Sequence, residues 1–137
     1  MDAITAYLPQ AEGYLPKWLL FVSAVAMFNS IQNYTTIALT QRVYSKRPQD
    51  VNTLSSRTFG TWTFLSAIVR CYAAYNIANQ GVYDICIWSY LIAGAHFVSE
   101  WLIFGTASLG AGLTGPLVVS SSSLIWMLTQ REFYTGA

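Results

Sequence analysis

Residues 18–41 carry no charged side chain, and this apolar run constrains the fold more than any other feature. A helix that crosses the hydrocarbon core of a bilayer needs about 20 mostly apolar residues, because each residue adds about 1.5 Å. Charged residues make up only 9% of the chain. A typical soluble domain has roughly 25%, so this chain lacks the polar groups to cover a water-facing surface. The sequence therefore predicts an integral membrane protein.

Three further apolar stretches follow the first, separated by polar or glycine-containing segments. Pro16 precedes the first run, where proline suits an opening helical turn. Asn79, Gln80 and Gly81 indicate a tight turn between the second and third stretches. The predicted spans are residues 16–40, 58–78, 82–104 and 117–130. Together they predict one all-α domain over residues 1–137, an integral membrane four-helix bundle with short loops.

The segment between the first two predicted spans holds four of the seven Lys and Arg residues of the chain. These four cations are Arg42, Lys46, Arg47 and Arg57. Cytoplasmic loops of membrane proteins carry an excess of Lys and Arg. The distribution therefore places this loop in the cytosol and both termini on the opposite side. With a net charge of only +1, the chain has no strong field that would favour nucleic acid.

Arg70, His96 and Glu100 fall inside predicted spans, where ionisable side chains are costly and usually face protein or water. Each lies on a helical face of small or polar residues, as do Asn29 and Asn33 in the first span. Such faces let membrane helices approach closely and form hydrogen bonds. The candidate intramembrane polar and partner contacts are Asn29, Asn33, Arg57, Arg70, His96 and Glu100.

Depth along the helices limits which of these groups can meet. Counted at 1.5 Å per residue from the turn at residues 79–81, Arg70 lies roughly 12 Å deep and Glu100 roughly 25–30 Å. This difference disfavours an Arg70–Glu100 pair. It favours contact of Arg70 with His96 or with the amides of the first span, and of Glu100 with Arg57. These groups either hold the helices together, bind a partner or form an ion path.

No set of residues predicts a catalytic, cofactor or metal site. His96 and Glu100 stand one helical turn apart, but a metal site normally needs three or four ligands and the chain has one histidine. Residues 110–115 match G-x-G-x-x-G, yet Pro116 follows and no βαβ unit surrounds them. The serines at 120–123 have no base close in sequence. We therefore expect no enzyme activity, cofactor or metal.

Several segments of the chain are distinctive: residues 15–23 (LPKWLLFVS), 28–32 (FNSIQ), 56–66 (SRTFGTWTFLS) with 69–75 (VRCYAAY), and 96–100 (HFVSE) with 104–108 (FGTAS). These segments closely resemble the ergosterol biosynthetic protein 28 family. The resemblance covers about residues 14–134, and the run RTFGTWT at 57–63 is its most specific part.

The resemblance implies a four-span protein of the endoplasmic reticulum membrane that acts in sterol synthesis as a non-catalytic tether. The implied partners are the sterol C4-methyl oxidase, the sterol C3 dehydrogenase/decarboxylase and the 3-keto sterol reductase. Association with the sterol C24 methyltransferase and C14 demethylase is also attributed to the family.

The residues alone leave alternatives to a tether. The chain could instead be a small-solute or proton carrier that uses Arg70, His96 and Glu100, or an intramembrane enzyme that uses the last two on sterols. Passive sterol binding between the helices is a further alternative. A homo-oligomer is compatible with the sequence, because so short a unit leaves small-residue surface unpaired.

Overall fold

The computed structural model describes residues 3–136, and these residues form helices and no β-strand. The helices are α1 (Ala3–Ala6), α2 (Leu15–Thr35), α3 (Ala38–Val43), α4 (Thr53–Tyr75), α5 (Gln80–Leu102), α6 (Ala111–Thr129) and α7 (Arg131–Thr135), with a 3-10 turn at Pro48–Asp50. The predicted all-α class is confirmed.

Two helices, α5 and α6, are long and apolar enough to cross a membrane, with mean hydropathies of 1.3 and 1.4. Helices α2 and α4 are of similar length, at 21 and 23 residues, but do not reach that hydropathy. Their sequences include more polar side chains, several of which are buried between the two helices. Composition rather than length therefore distinguishes α5 and α6 from the other two.

The first predicted span is interrupted near its end, because α2 stops at Thr35 rather than continuing to residue 40. Thr36 adopts an extended conformation, with φ −149° and ψ 148°, and the short helix α3 follows. The hydroxyl of Ser56 in α4 donates to the carbonyl oxygen of Asn33 at 2.8 Å and also approaches that of Thr36 at 3.3 Å. Ser56 therefore stabilises carbonyl groups at the point where the helix breaks.

The other predicted spans also differ from the helices at their ends. Helix α4 begins five residues early because Asn52 and Ser55 form a capping box, in which each side chain accepts from the backbone N–H of the other. Helix α6 begins at Ala111 and includes Pro116, which was expected to end the preceding connection. Pro116 is the sixth residue of α6, so it removes the hydrogen bond to the Gly112 carbonyl and crowds that group, and the helix nevertheless continues past it.

The four long helices contact one another in the cyclic order α2, α4, α5, α6. Helix α2 packs along α4 over most of its length, α4 contacts α5, and α5 packs along α6. The ring closes weakly, because α2 contacts α6 at few positions and α3 supplies more of the contact with α6. The ring therefore has one thin wall, between α2 and α6.

Helices α2 and α4 approach closely at Gly60. A Cβ atom at this position would lie 3.0 Å from the carbonyl oxygen of Ser30 and 3.0 Å from the Cβ of Asn33. Small residues permit this kind of backbone approach between helices in lipid. The RTFGTWT run therefore contributes a contact surface for α2.

Two hydrogen bonds donated by backbone N–H groups mark opposite ends of the ring. At one end, the N–H of Lys46 donates to the carbonyl of Thr106 at 3.1 Å, which joins the α3–α4 and α5–α6 connections. At the other end, the N–H of Leu15 donates to the hydroxyl of Tyr134 at 3.1 Å, which joins the start of α2 to α7. Helix α7 and the start of α2 thus lie at the opposite end of the ring from the basic segment at residues 41–57.

Large apolar side chains are exposed on outer faces of all four long helices. Those at least 60% exposed include Phe21 and Phe28 of α2, Leu65 of α4, Trp88 of α5 and Ile125 of α6. Soluble monomeric proteins rarely expose contiguous apolar surface on this scale. These faces suit contact with lipid or with apolar helices of other proteins.

Candidate functional site

A cavity of about 420 Å³ lies inside the ring of helices. Its walls come from α2 to α6 and consist mainly of apolar and aromatic side chains, such as Trp18, Trp62 and Phe97. Two arginines, Arg42 and Arg70, line it, whereas no Asp, Glu or Lys among residues 3–136 does so. The cavity is therefore apolar with a cationic bias.

The cavity opens sideways through the thin wall between α2 and α6. Phe21, Val25 and Asn29 follow one another at helical spacing on α2, line the cavity and are also exposed. Across from them, Ala111 and Gly115 of α6 also line the cavity and are exposed. The predicted contact residue Asn29 thus lies at the rim of this opening.

Arg70 projects from α4 against α5 and is only 7% exposed. Its guanidinium carbon lies 4.0 Å from the centroid of the Tyr90 ring, a cation–π contact. Its Nε donates to the hydroxyl of Ser89 at 3.3 Å, and Nη2 lies 3.5 Å from the Ser89 carbonyl oxygen. The expected contacts of Arg70 with His96 or the first-span amides are therefore not formed.

Arg70 also has no acidic partner among residues 3–136. The ion pairs in this part of the chain join Arg47 to Asp50 and Arg131 to Asp84. Both are partly exposed, whereas Arg70 is buried. Arg70 is therefore a buried cation whose charge no side chain in the described protein balances.

Asn33 belongs to a buried hydrogen-bond network where α2, α3 and α4 meet. Its side-chain oxygen accepts from the hydroxyl of Thr40 at 3.1 Å, and its backbone carbonyl accepts from Ser56. The hydroxyls of Thr40 and Ser56 are themselves 3.1 Å apart. Of the polar residues predicted on one face of the first span, Asn33 thus forms hydrogen bonds at the junction of three helices.

His96 is held by aromatic groups. The hydroxyl of Tyr44 lies 2.6 Å from His96 Nε2, and the Trp62 ring centroid lies 5.2 Å from that of His96. Burial and, secondly, the Glu100 carboxylate raise the pKa of Tyr44 well above its ordinary value. Tyr44 therefore keeps its proton, and the direction of its hydrogen bond with Nε2 depends on the imidazole tautomer.

Glu100 and Arg57, expected to meet, form no ion pair within residues 3–136. Glu100 Oε1 accepts from the hydroxyl of Thr106 at 2.6 Å, within the connection that follows α5. The Arg57 side chain is exposed and forms no ion pair within residues 3–136.

The same residues contain no cluster of three or more His, Cys, Asp or Glu that could hold a metal ion.

Sequence reasoning found several of these positions but missed most of their partners. Tyr90 and Tyr44 hold Arg70 and His96, yet each resembles the other aromatic residues of the chain. Ser56 precedes the conspicuous RTFGTWT run, and its spacing of four from Gly60 places it on the same face of α4. That spacing is the one signal that could have identified it.

Comparison with known proteins gives consistent matches. Residues 15–125 match the family model described as "Erg28 like protein". A Candida albicans protein named ergosterol biosynthetic protein 28 is 56% identical over 124 residues, covering 90% of each chain. The Saccharomyces cerevisiae protein of that name is 50% identical over 133 residues, covering 96% of this chain and 90% of its own. The human homolog is 42% identical over 120 residues, covering 87% and 86% respectively. No solved structure matches.

Proposed function

The chain belongs to the ergosterol biosynthetic protein 28 family, and from this membership we propose that it is a non-catalytic membrane scaffold in ergosterol biosynthesis. It tethers the sterol C4-methyl oxidase, the sterol C3 dehydrogenase/decarboxylase and the 3-keto sterol reductase. The sterol C24 methyltransferase and C14 demethylase are further proposed partners. The site of action is the endoplasmic reticulum membrane.

The observation that carries this proposal is that polar side chains form hydrogen bonds between different segments of the chain. Ser56 bonds to Asn33, Arg70 to Ser89, and Tyr44 to His96, so these groups join one segment of the chain to another. A nucleophile needs a general base within reach, and no His, Asp, Glu or Lys among residues 3–136 lines the cavity between the helices. Polar groups that hold helices together, with apolar faces left outside, suit a protein that binds other membrane proteins.

We also propose that α2 and α4 cross the membrane together with α5 and α6. At 1.5 Å per residue the four helices are about 28–35 Å long, against about 30 Å of hydrocarbon. The buried Ser56, Asn33 and Arg70 face neighbouring helices rather than the outside, which lowers the cost of placing α2 and α4 in lipid. All four helices then carry exposed apolar side chains toward the bilayer or toward partner helices.

The proposed orientation places the α3–α4 connection in the cytosol. We expect Lys46→Cys to react with a membrane-impermeant maleimide in sealed microsomes, whereas Glu12→Cys should react only after permeabilisation. Both positions are exposed, so accessibility depends on the side of the membrane. The native Cys86 is buried and Cys71 is half-buried, and the unsubstituted protein gives their background. The opposite labelling pattern would contradict this orientation.

Tethering is tested by capture from solubilised membranes. A tagged C4-methyl oxidase is purified from cells with and without this protein, and the other two C4-demethylation enzymes are quantified. We expect their recovery to fall at least about fivefold without the scaffold, since about 1 kcal/mol of lost coupling already has that effect. Re-expression of the wild-type chain is the control, and undiminished recovery in its absence would refute tethering.

A further inference from the structure

We propose that the cavity between the four long helices binds one apolar molecule with a single carboxylate, and that Arg70 is the residue that recognises the carboxylate. This goes beyond tethering, because a scaffold that only joins enzymes needs no internal binding site. The cavity volume of about 420 Å³ is within the range of roughly 300–1,000 Å³ that small-molecule sites occupy.

The charge of the cavity lining selects an anion. Arg70 has five N–H donors, and Ser89 is the only residue among those described whose oxygens accept from it. A buried cation without an acidic partner is costly in an apolar site. A carboxylate relieves this cost with one negative charge and can accept two parallel hydrogen bonds from a guanidinium. A phosphate monoester, with nearly two charges, is a poorer match for one buried arginine.

Tyr90 gives a second reason to place the polar end of the ligand near Arg70. Its ring lies beneath the guanidinium, and its buried hydroxyl has at most the Ser123 hydroxyl as a partner among residues 3–136, which leaves bonding capacity unused. The Ser123 hydroxyl also accepts from Trp18, at 2.8 Å. Arg70 and Tyr90 thus place polar groups with unused bonding capacity in the lining of a mainly apolar cavity.

The remaining walls select a long apolar body. The lining residues of α4 run from Phe59 to Arg70, which corresponds to about 16 Å along the helix axis. Trp62 and Phe97 contribute flat aromatic surface along this length. The opening between α2 and α6 faces sideways, toward the hydrocarbon in the proposed orientation. The ligand is therefore an amphiphile that already resides in the bilayer.

Two membrane components carry this chemistry, a fatty acid and a sterol with a carboxylate on its rings. We favour the sterol carboxylate over the fatty acid, and this choice rests on the proposed function. A methyl oxidase and a decarboxylase that act in turn on one carbon must exchange a carboxylate, because the methyl carbon is oxidised to that level before it leaves as carbon dioxide. A scaffold joining the two enzymes would then hold the compound that passes between them.

The test measures equilibrium binding to the purified full-length chain in neutral-lipid nanodiscs. The four probes are a sterol 4-carboxylic acid, the matching 4-hydroxymethyl sterol, oleic acid and oleyl alcohol. We expect the preferred acid to bind at least about tenfold more tightly than its alcohol, the effect of one hydrogen-bonded charge. Arg70→Gln should reduce this ratio to within about twofold, whereas Arg57→Gln, which changes an exposed arginine outside the cavity lining, should preserve it.

The outcome of each arm is decisive. Equal affinity of acid and alcohol for the wild-type protein overturns the proposal without any variant, so the test does not depend on Arg70→Gln folding. A ratio that persists in Arg70→Gln, when that variant elutes and unfolds like the wild type, also overturns it. Tighter binding of either acid than of its alcohol supports the carboxylate site. The acid that binds more tightly identifies the source of the ligand. Enzyme capture is scored separately, so the scaffold and the ligand site can fail independently.

Discussion

Replacing Gly112 by alanine is expected to lower the free energy of unfolding by about 3 kcal/mol, at the upper end of the range for overpacking. A Cβ at this position would overlap the backbone carbonyl group of Arg42 and lie 2.7 Å from the backbone nitrogen of Val43. These are backbone atoms, so no side-chain rotation can make room. Helix α3 would have to move away from α6, and the contact that closes the ring would be lost.

Gly115→Ala is the matched control, one turn further along α6. No atom lies within 4 Å of the Cβ that this substitution adds. Alanine favours a helix over glycine by up to about 1 kcal/mol, so this variant should be as stable as the wild type or slightly more stable. Thermal unfolding of both variants in the same detergent makes the comparison. Equal stabilities would mean that α3 does not rest on α6 at Gly112.

Removing the Ser56 hydroxyl with Ser56→Ala is expected to cost about 1–3 kcal/mol, the range for a buried polar group left unsatisfied. Ser56 is fully buried, and its hydroxyl donates to the carbonyl of Asn33 where α2 ends. Alanine would leave that carbonyl without this bond and would remove a neighbour of the Thr40 hydroxyl. The junction of α2, α3 and α4 should therefore loosen.

Ser122→Ala makes the same chemical change at an exposed position of α6. Its hydroxyl bonds to the carbonyl of Val118 in its own helix, at 2.7 Å, and joins no two elements. We expect no loss of stability, because serine that bonds back to its own helix favours the helix less than alanine does. Hydrogen exchange of the α3 amides supplements thermal unfolding, and should accelerate in Ser56→Ala alone. Unchanged exchange there would exclude Ser56 as the group that stabilises the helix break.

Composition predicted the helical class because an uncharged run of membrane-spanning length has few other solutions. The break after Thr35 could not be predicted in the same way, since residues 36–40 are as apolar as the helix before them. At the break, a carbonyl group accepts from a hydroxyl of α4 that is 20 residues away in sequence. The start of α6 was missed because Pro116 signals a boundary by residue type, yet it lies inside the helix.

Counting residues estimates how far along a helix a side chain lies, but not the direction in which it points. Depth correctly separated Arg70 from Glu100, and both bond elsewhere. It did not identify Ser89 and Tyr90 as the neighbours of Arg70, because that depends on how α4 and α5 are rotated against each other. The sequence likewise could not predict that Arg70 lacks an acidic partner, because the chain contains six acidic residues that could have paired with it.

The thin wall between α2 and α6 determines whether occupancy of the cavity follows the ligand concentration in lipid or in water. In the proposed four-span arrangement, a molecule that arrives through this opening comes from the surrounding lipid, so its mole fraction in the bilayer governs occupancy rather than its concentration in water. Dilution into more lipid should then empty the cavity even when the total amount in the sample is unchanged. A compound made by an enzyme held against this wall would reach the cavity before it mixes with the rest of the membrane.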